Sequence, residues 1–136
     1  MTNGSNDWGV PFSHIMWLDR LLNNHDNVTS VSRDHDILFE VQRQNQNDTL
    51  RILCVREYTM GLTLVQRALA EFGEIDLIYI GGGWCGYTEE AKEFCLESEI
   101  GLYVSDEMSG ALWKDECWDY HKRDSDGNPI YFTRAS

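Results

Sequence analysis

Apolar residues recur every three or four positions from Pro11 onward, at Phe12, Ile15, Met16, Leu18, Leu21 and Leu22. That spacing predicts an amphipathic helix with Pro11 in its first turn, where a proline has no hydrogen bond to lose. The polar run "NNHDN" ends it. "VTSVS" then reads as a short, half-polar strand, and "DILFEVQRQ" alternates Ile37, Phe39 and Val41 with Asp36, Leu38, Glu40 and Gln42, the period of a strand with two different faces. After the connection "NQND", "TLRILCVREY" is apolar enough for a central strand.

The second half changes period. Leu62, Val65, Leu69 and Phe72 form a helical stripe closed by Gly73. "IDLIYI" is a continuous apolar strand. Thr88 is placed to cap the next helix, Glu89 and Glu90 suit its positive end, and Ala91, Phe94 and Cys95 form its stripe. "IGLYVS" is a last core strand and "SGALWKDECWDY" a last helix, with Trp113, Cys117 and Tyr120 on one face that packs on the sheet or forms a homodimer contact. In the tail, a D-G turn precedes a short apolar run that reads as an edge strand.

The predicted order is α-β-β-β-α-β-α-β-α. Strands separated by helices pair in parallel and a meander pairs antiparallel, so the expected class is α/β with a mixed central sheet flanked by helices. A chain of 136 residues fits one domain, with 1–10 as a loose lead-in and 121–136 as a tail.

Composition narrows the partners. There are 23 acidic and 11 basic residues, a formal charge of −12. Such a field repels nucleic acid at long range, because binding a polyphosphate rests on Lys and Arg displacing counterions. Only three of the basic residues are lysine, which suits a salt-adapted protein as well as an ordinary acidic one. No segment is apolar over a membrane-spanning length, and the polar start "MTNGSNDWG" does not read as a secretory leader. A cytoplasmic protein with reduced thiols is expected. Its four cysteines form no C-x-x-C pair, and no His/Cys cluster has zinc-ligand spacing.

The stretch "IYIGGGWCGYTEEAKEFC" offers chemistry. Gly81, Gly83 and Gly86 spell G-x-G-x-x-G after a strand, with Asp106 at about the offset of a ribose-binding acid, so a nucleotide-binding module is one alternative. Against it, Thr88 caps the helix two residues beyond the third glycine, and few strands remain to complete a crevice. Trp84-Cys85-Gly86 resembles the start of a thioredoxin-type site, but Thr88 stands where the resolving thiol belongs.

A third relation covers more of the chain. Gly86-Tyr87-Thr88-Glu89-Glu90-Ala91-Lys92-Glu93-Phe94, followed by a strand from Ile100 to Val104 and a helix near Asp106 to Leu112, resembles the closing segment of restriction-endonuclease-like PD-(D/E)xK nucleases, especially their Mrr-like branch. The sequence-specific part spans 73–112 and the order of elements spans 11–113. The resemblance implies an α-β-β-β-α-β core. It also implies one or two Mg²⁺ ions held between an Asp and a Glu or Gln on the next strand, with a Lys two residues further on.

Laid on this sequence, the Asp falls at Asp36, but Cys54 stands at the Glu/Gln position and Arg56 at the Lys position. A thiol is a poor Mg²⁺ ligand, and arginine does not give up its proton. Glu40 is a candidate second carboxylate beside Asp36, and Gln66 a candidate supporting residue on the following helix. The expectation is a catalytically degenerate nuclease domain in a DNA-related or defence-related context, acting through protein partners. The alternative is an active Mg²⁺-dependent DNA endonuclease using Asp36, Glu40 and Arg56.

Overall fold

The computed structural model describes residues 7–34, 36–82 and 85–133. Its elements are α1 (Phe12–Asn24), β1 (Val28–Asp34), β2 (Leu38–Arg43), β3 (Asp48–Arg56), β4 (Thr59–Met60), α2 (Leu62–Phe72), β5 (Leu77–Gly81), β6 (Gly86–Tyr87), α3 (Glu89–Glu97), β7 (Gly101–Val104), α4 (Ser105–Ala111), a 3-10 turn (Cys117–Asp119), β8 (Lys122–Arg123) and β9 (Pro129–Ile130). The protein is α/β, with a five-stranded mixed sheet in the order β1-β2-β3-β5-β7 flanked by four helices.

β1, β2 and β3 form an antiparallel meander, and β5 and β7 join it in parallel. The pairing follows the connections: short turns link the meander, whereas α2 and α3 carry the chain back between parallel strands. β5 and β7 are buried at every position, in keeping with their unbroken apolar sequence. α1 lies across β1 and β3, and its Trp17 stacks on Tyr79 with centroids 5.5 Å apart. Cys54, Tyr79 and Tyr103 are lateral partners on β3, β5 and β7, so they share that face.

Thr88 caps α3 as its sequence predicts, its Oγ1 accepting from the Ala91 amide at 3.1 Å. Gly73 closes α2 at φ +76°, donating to Leu69 O. The Asp126-Gly127 turn folds β8 onto β9, and the apolar run beyond it pairs beside Tyr87 through a parallel bridge to Thr133. Two short parallel strands, β4 and β6, were not expected from the sequence. At two residues each they carry no periodicity.

Two expectations are corrected. Asp36 is not on a strand: β2 begins at Leu38, and Asp36 turns the chain at φ +68°. The last helix is α4, starting directly after β7 and ending at Ala111, rather than a helix across 109–120. Tertiary hydrogen bonds stop it. Leu112 O accepts from Asn27 Nδ2 at 2.9 Å and from Arg43 Nη1 at 3.3 Å, and Lys114 O accepts from Arg43 Nη1. These carbonyls have partners in Arg43 of β2 and in Asn27, just before β1, instead of a further helical turn. Trp113, Cys117 and Tyr120 therefore do not form one helical face. Trp113 packs against His25 with the rings tilted by 46°, Cys117 is buried, and Tyr120 lies against Gly110.

Candidate functional site

The carboxyl ends of the three parallel strands open on the same end of the sheet. Arg56 closes β3, Gly81 closes β5, and Ser105 follows β7. α1 brings His14 and Trp17 over this end. One hollow of about 270 Å³ is lined by His14, Arg56, Glu57, Tyr58, Gly82 and Cys85, among others. A second, of about 290 Å³, is lined by Ser13, His14, Trp17, Tyr79, Gly82 and Ser105. They adjoin at His14 and Gly82.

The groove is built by close approach. A Cβ on Gly81 would sit 3.0 Å from His14 Nδ1, and Gly82 has φ +115°, a conformation that side chains rarely adopt. The imidazole edge therefore rests on glycine backbone. His14 Nδ1 is buried without a hydrogen-bond partner. Burial, and then the positive charge of Arg56, hold its pKa below the ordinary value, which keeps the ring neutral. Arg56 is exposed and forms no ion pair or hydrogen bond with any described residue. The Tyr79 hydroxyl is held in its neutral form by burial, then by the neighbouring Cys54 and Cys85.

The residues marked out by the nuclease resemblance are partly brought together. The Cys54 amide donates to Ile37 O at 2.8 Å, which sets Asp36 beside Cys54. The Cys54 thiol is fully buried, and its pKa is pushed up to about 12, first by burial and then by the charge of Asp36. Arg56, two residues on, shares that face of β3 and reaches solvent. Asp36 is buried, with its Oδ1 accepting from Arg33 Nη1 at 2.9 Å.

Glu40 and Gln66 are not part of that group. Glu40 is exposed on β2 between Ser32 and Arg51, and Arg51 is three residues from Cys54, about 10 Å along β3. Gln66 is exposed on α2. Among the described residues no three His, Cys, Asp or Glu side chains converge as metal ligands. The donor set does not fit Mg²⁺: one carboxylate is engaged by a guanidinium, the next position is a neutral buried thiol, and the second carboxylate is remote.

The glycine stretch has a different use from a dinucleotide turn. Gly86 lies in β6, paired with Thr59, and α3 starts only at Glu89, so no helix opens on the third glycine. Asp106 is exposed in the first turn of α4. Gly83 and Trp84 lie outside the described residues.

A second polar cluster, absent from the sequence reading, sits at the free edge of β7. Lys92, only 3% exposed, donates from Nζ to Leu102 O at 2.8 Å and lies over the rings of Tyr103 and Tyr87 at 4.2 and 4.9 Å. Glu107 Oε1 accepts from the Val104 amide at 3.0 Å, and Tyr87 Oη donates to Glu107 Oε2 at 3.3 Å. Burial lowers the Lys92 pKa to about 8, opposed by the nearby Glu107, and burial raises that of Glu107. A signal was present: Lys92 lies one turn after Thr88 and one before Cys95, a charge on a buried face.

No known protein family, curated protein or solved structure matches this chain. No helix among the described residues is long and apolar enough to cross a membrane.

Proposed function

We propose that this protein is a restriction-endonuclease-like domain that has lost cleavage and works by binding, through protein partners, in a DNA-related or defence-related setting. The observation that carries this reading is the environment of Cys54. At the position where such nucleases hold a metal-binding carboxylate stands a neutral, fully buried thiol, beside an Asp36 already engaged by Arg33. The order helix, meander, helix, parallel strand supports the family half of the reading. The charge of −12 supports a partner other than bare DNA.

The test is incubation of the protein with plasmid DNA and Mg²⁺ or Mn²⁺, with Asp36→Ala as control. No cutting above background is expected. Metal-dependent cutting abolished by Asp36→Ala would establish the active-endonuclease alternative in its place.

A further inference from the structure

We propose that the two adjoining hollows at the carboxyl ends of β3, β5 and β7 form one groove for a metabolite-sized ligand that joins a planar heteroaromatic ring to an anionic group, the chemistry of a nucleoside monophosphate. The proposal goes beyond the silent-nuclease reading and needs neither a metal nor a cleavage step. It also differs from a dinucleotide turn, since the third glycine, Gly86, opens no helix: α3 starts only at Glu89.

Size comes first. Hollows of about 270 and 290 Å³ each fall just below the range for ligand pockets, roughly 300 to 1,000 Å³, so a ligand would occupy the two together. They admit a metabolite and not a folded partner.

The two ends differ in chemistry. At one end Trp17, stacked 8° from parallel on the buried Tyr79, presents aromatic surface and is 39% exposed. A planar ring gains stacking energy on such surface, whichever heterocycle it is. At the other end stands the guanidinium of Arg56, without an acid partner among the described residues although acids outnumber bases two to one in the chain. A planar fork of N–H donors suits a phosphate or carboxylate.

Between the ends, the neutral His14 carries a buried nitrogen with no hydrogen bond, a group that ordinarily has a partner. Along the sheet, the level of Tyr79 and the level of Arg56 are two residues apart, about 7 Å. One small molecule spans that distance.

Charge sets the upper limit. Glu57 lines the same hollow as Arg56, and the whole chain repels polyanions. A single anionic group is accommodated there, whereas a nucleic-acid strand needs several cations in a row.

The deciding experiment uses the full chain. Calorimetric titration with AMP, GMP and UMP is paired with amide and indole NMR shifts, and with adenosine, inorganic phosphate and a 5′-phosphorylated oligothymidylate as comparators. At least one nucleotide is expected to bind one to one and to shift His14, Gly82 and the Trp17 indole. Arg56→Gln and Trp17→Leu, both at exposed positions, should each weaken binding at least tenfold with unchanged circular dichroism, while Arg56→Lys retains part of it. Absence of binding at millimolar nucleotide overturns the proposal, as do shifts confined to other surfaces. Phosphate binding as tightly as any nucleotide overturns it, and so does an oligonucleotide that binds more tightly than its monomer. The DNA-cleavage result bears on the nuclease reading alone, so either idea can fail without the other.

Discussion

Lys92 Nζ donates to the carbonyl oxygen of Leu102 at 2.8 Å, on the outer side of the last strand of the sheet. An edge strand exposes unpaired amides and carbonyls, which invite pairing with another chain. Here side chains occupy them: Lys92 takes the Leu102 carbonyl and Glu107 the Val104 amide. A lysine buried over two tyrosine rings and a buried glutamate bonded to the Tyr87 hydroxyl close an edge that the fold leaves open.

Lys92→Met keeps the length of the side chain and removes its donor. Leaving the Leu102 carbonyl buried and unpaired should cost about 1–3 kcal/mol, read as a lower urea midpoint at pH 7. The pH dependence has a definite sign. The folded pKa of Lys92 lies near 8, below its ordinary 10.5, so between these values the unfolded chain binds more protons at this site and stability from it rises with pH. The raised thiols Cys54 and Cys95 act oppositely above pH 9. The test is therefore the difference between wild type and Lys92→Met, which should shift toward the wild type from pH 8 to 10.5.

Arg33→Leu should destabilise the protein by roughly 2 kcal/mol or more, because it strips a guanidinium from the buried Asp36. Arg33→Leu combined with Asp36→Asn should recover part of that loss. Denaturant titration of the two variants gives the comparison, and an equal loss in both would show that the pair's charge is not the cause.

Gly101→Ala should cost about 1–3 kcal/mol, the range for forcing extra atoms into a packed core. Its Cβ would fall 2.1 Å from Leu77 Cδ2 and 2.6 Å from Tyr103 Cε2. Tyr103 has little room to yield, since its hydroxyl donates to Cys117 O at 2.6 Å and accepts from the Tyr120 amide at 3.0 Å. Thermal melting of the variant measures the effect.

Of the four cysteines, one should react with a disulfide reagent in the native state. Burial pushes the Cys54, Cys95 and Cys117 thiols up to about 12, 12 and 11, and all three are closed to solvent. Cys85 is partly exposed in the groove wall. A thiolate is the reacting species, so one equivalent of colour is expected at pH 8, lost in Cys85→Ser. Four equivalents appear on unfolding in urea.

Much of the architecture was legible along the chain. The stripes from Phe12 to Leu22 and from Leu62 to Phe72, the unbroken apolar run of β5 and the cap at Thr88 depend on neighbours within a turn or two, where periodicity and local hydrogen bonds decide. These elements and their order were determined by the sequence itself. The resemblance also marked Asp36, Cys54 and Arg56; the bond from the Cys54 amide to Ile37 O sets Asp36, in the turn before β2, near Cys54.

Contacts remote in sequence decided the rest. α4 ends at Ala111 because Asn27 and Arg43, 69 to 85 residues away, take the next carbonyls. The ligand-sized groove joins His14 and Trp17 of the first helix to strand ends near 56, 81 and 105. Lys92 reads as one more solvated helix charge until the open edge of β7 and the helix bearing Glu107 enclose it. The physical reason is the same throughout: a pattern along the chain fixes which face of an element is buried, while the partners a polar group finds depend on which elements the sheet places beside it.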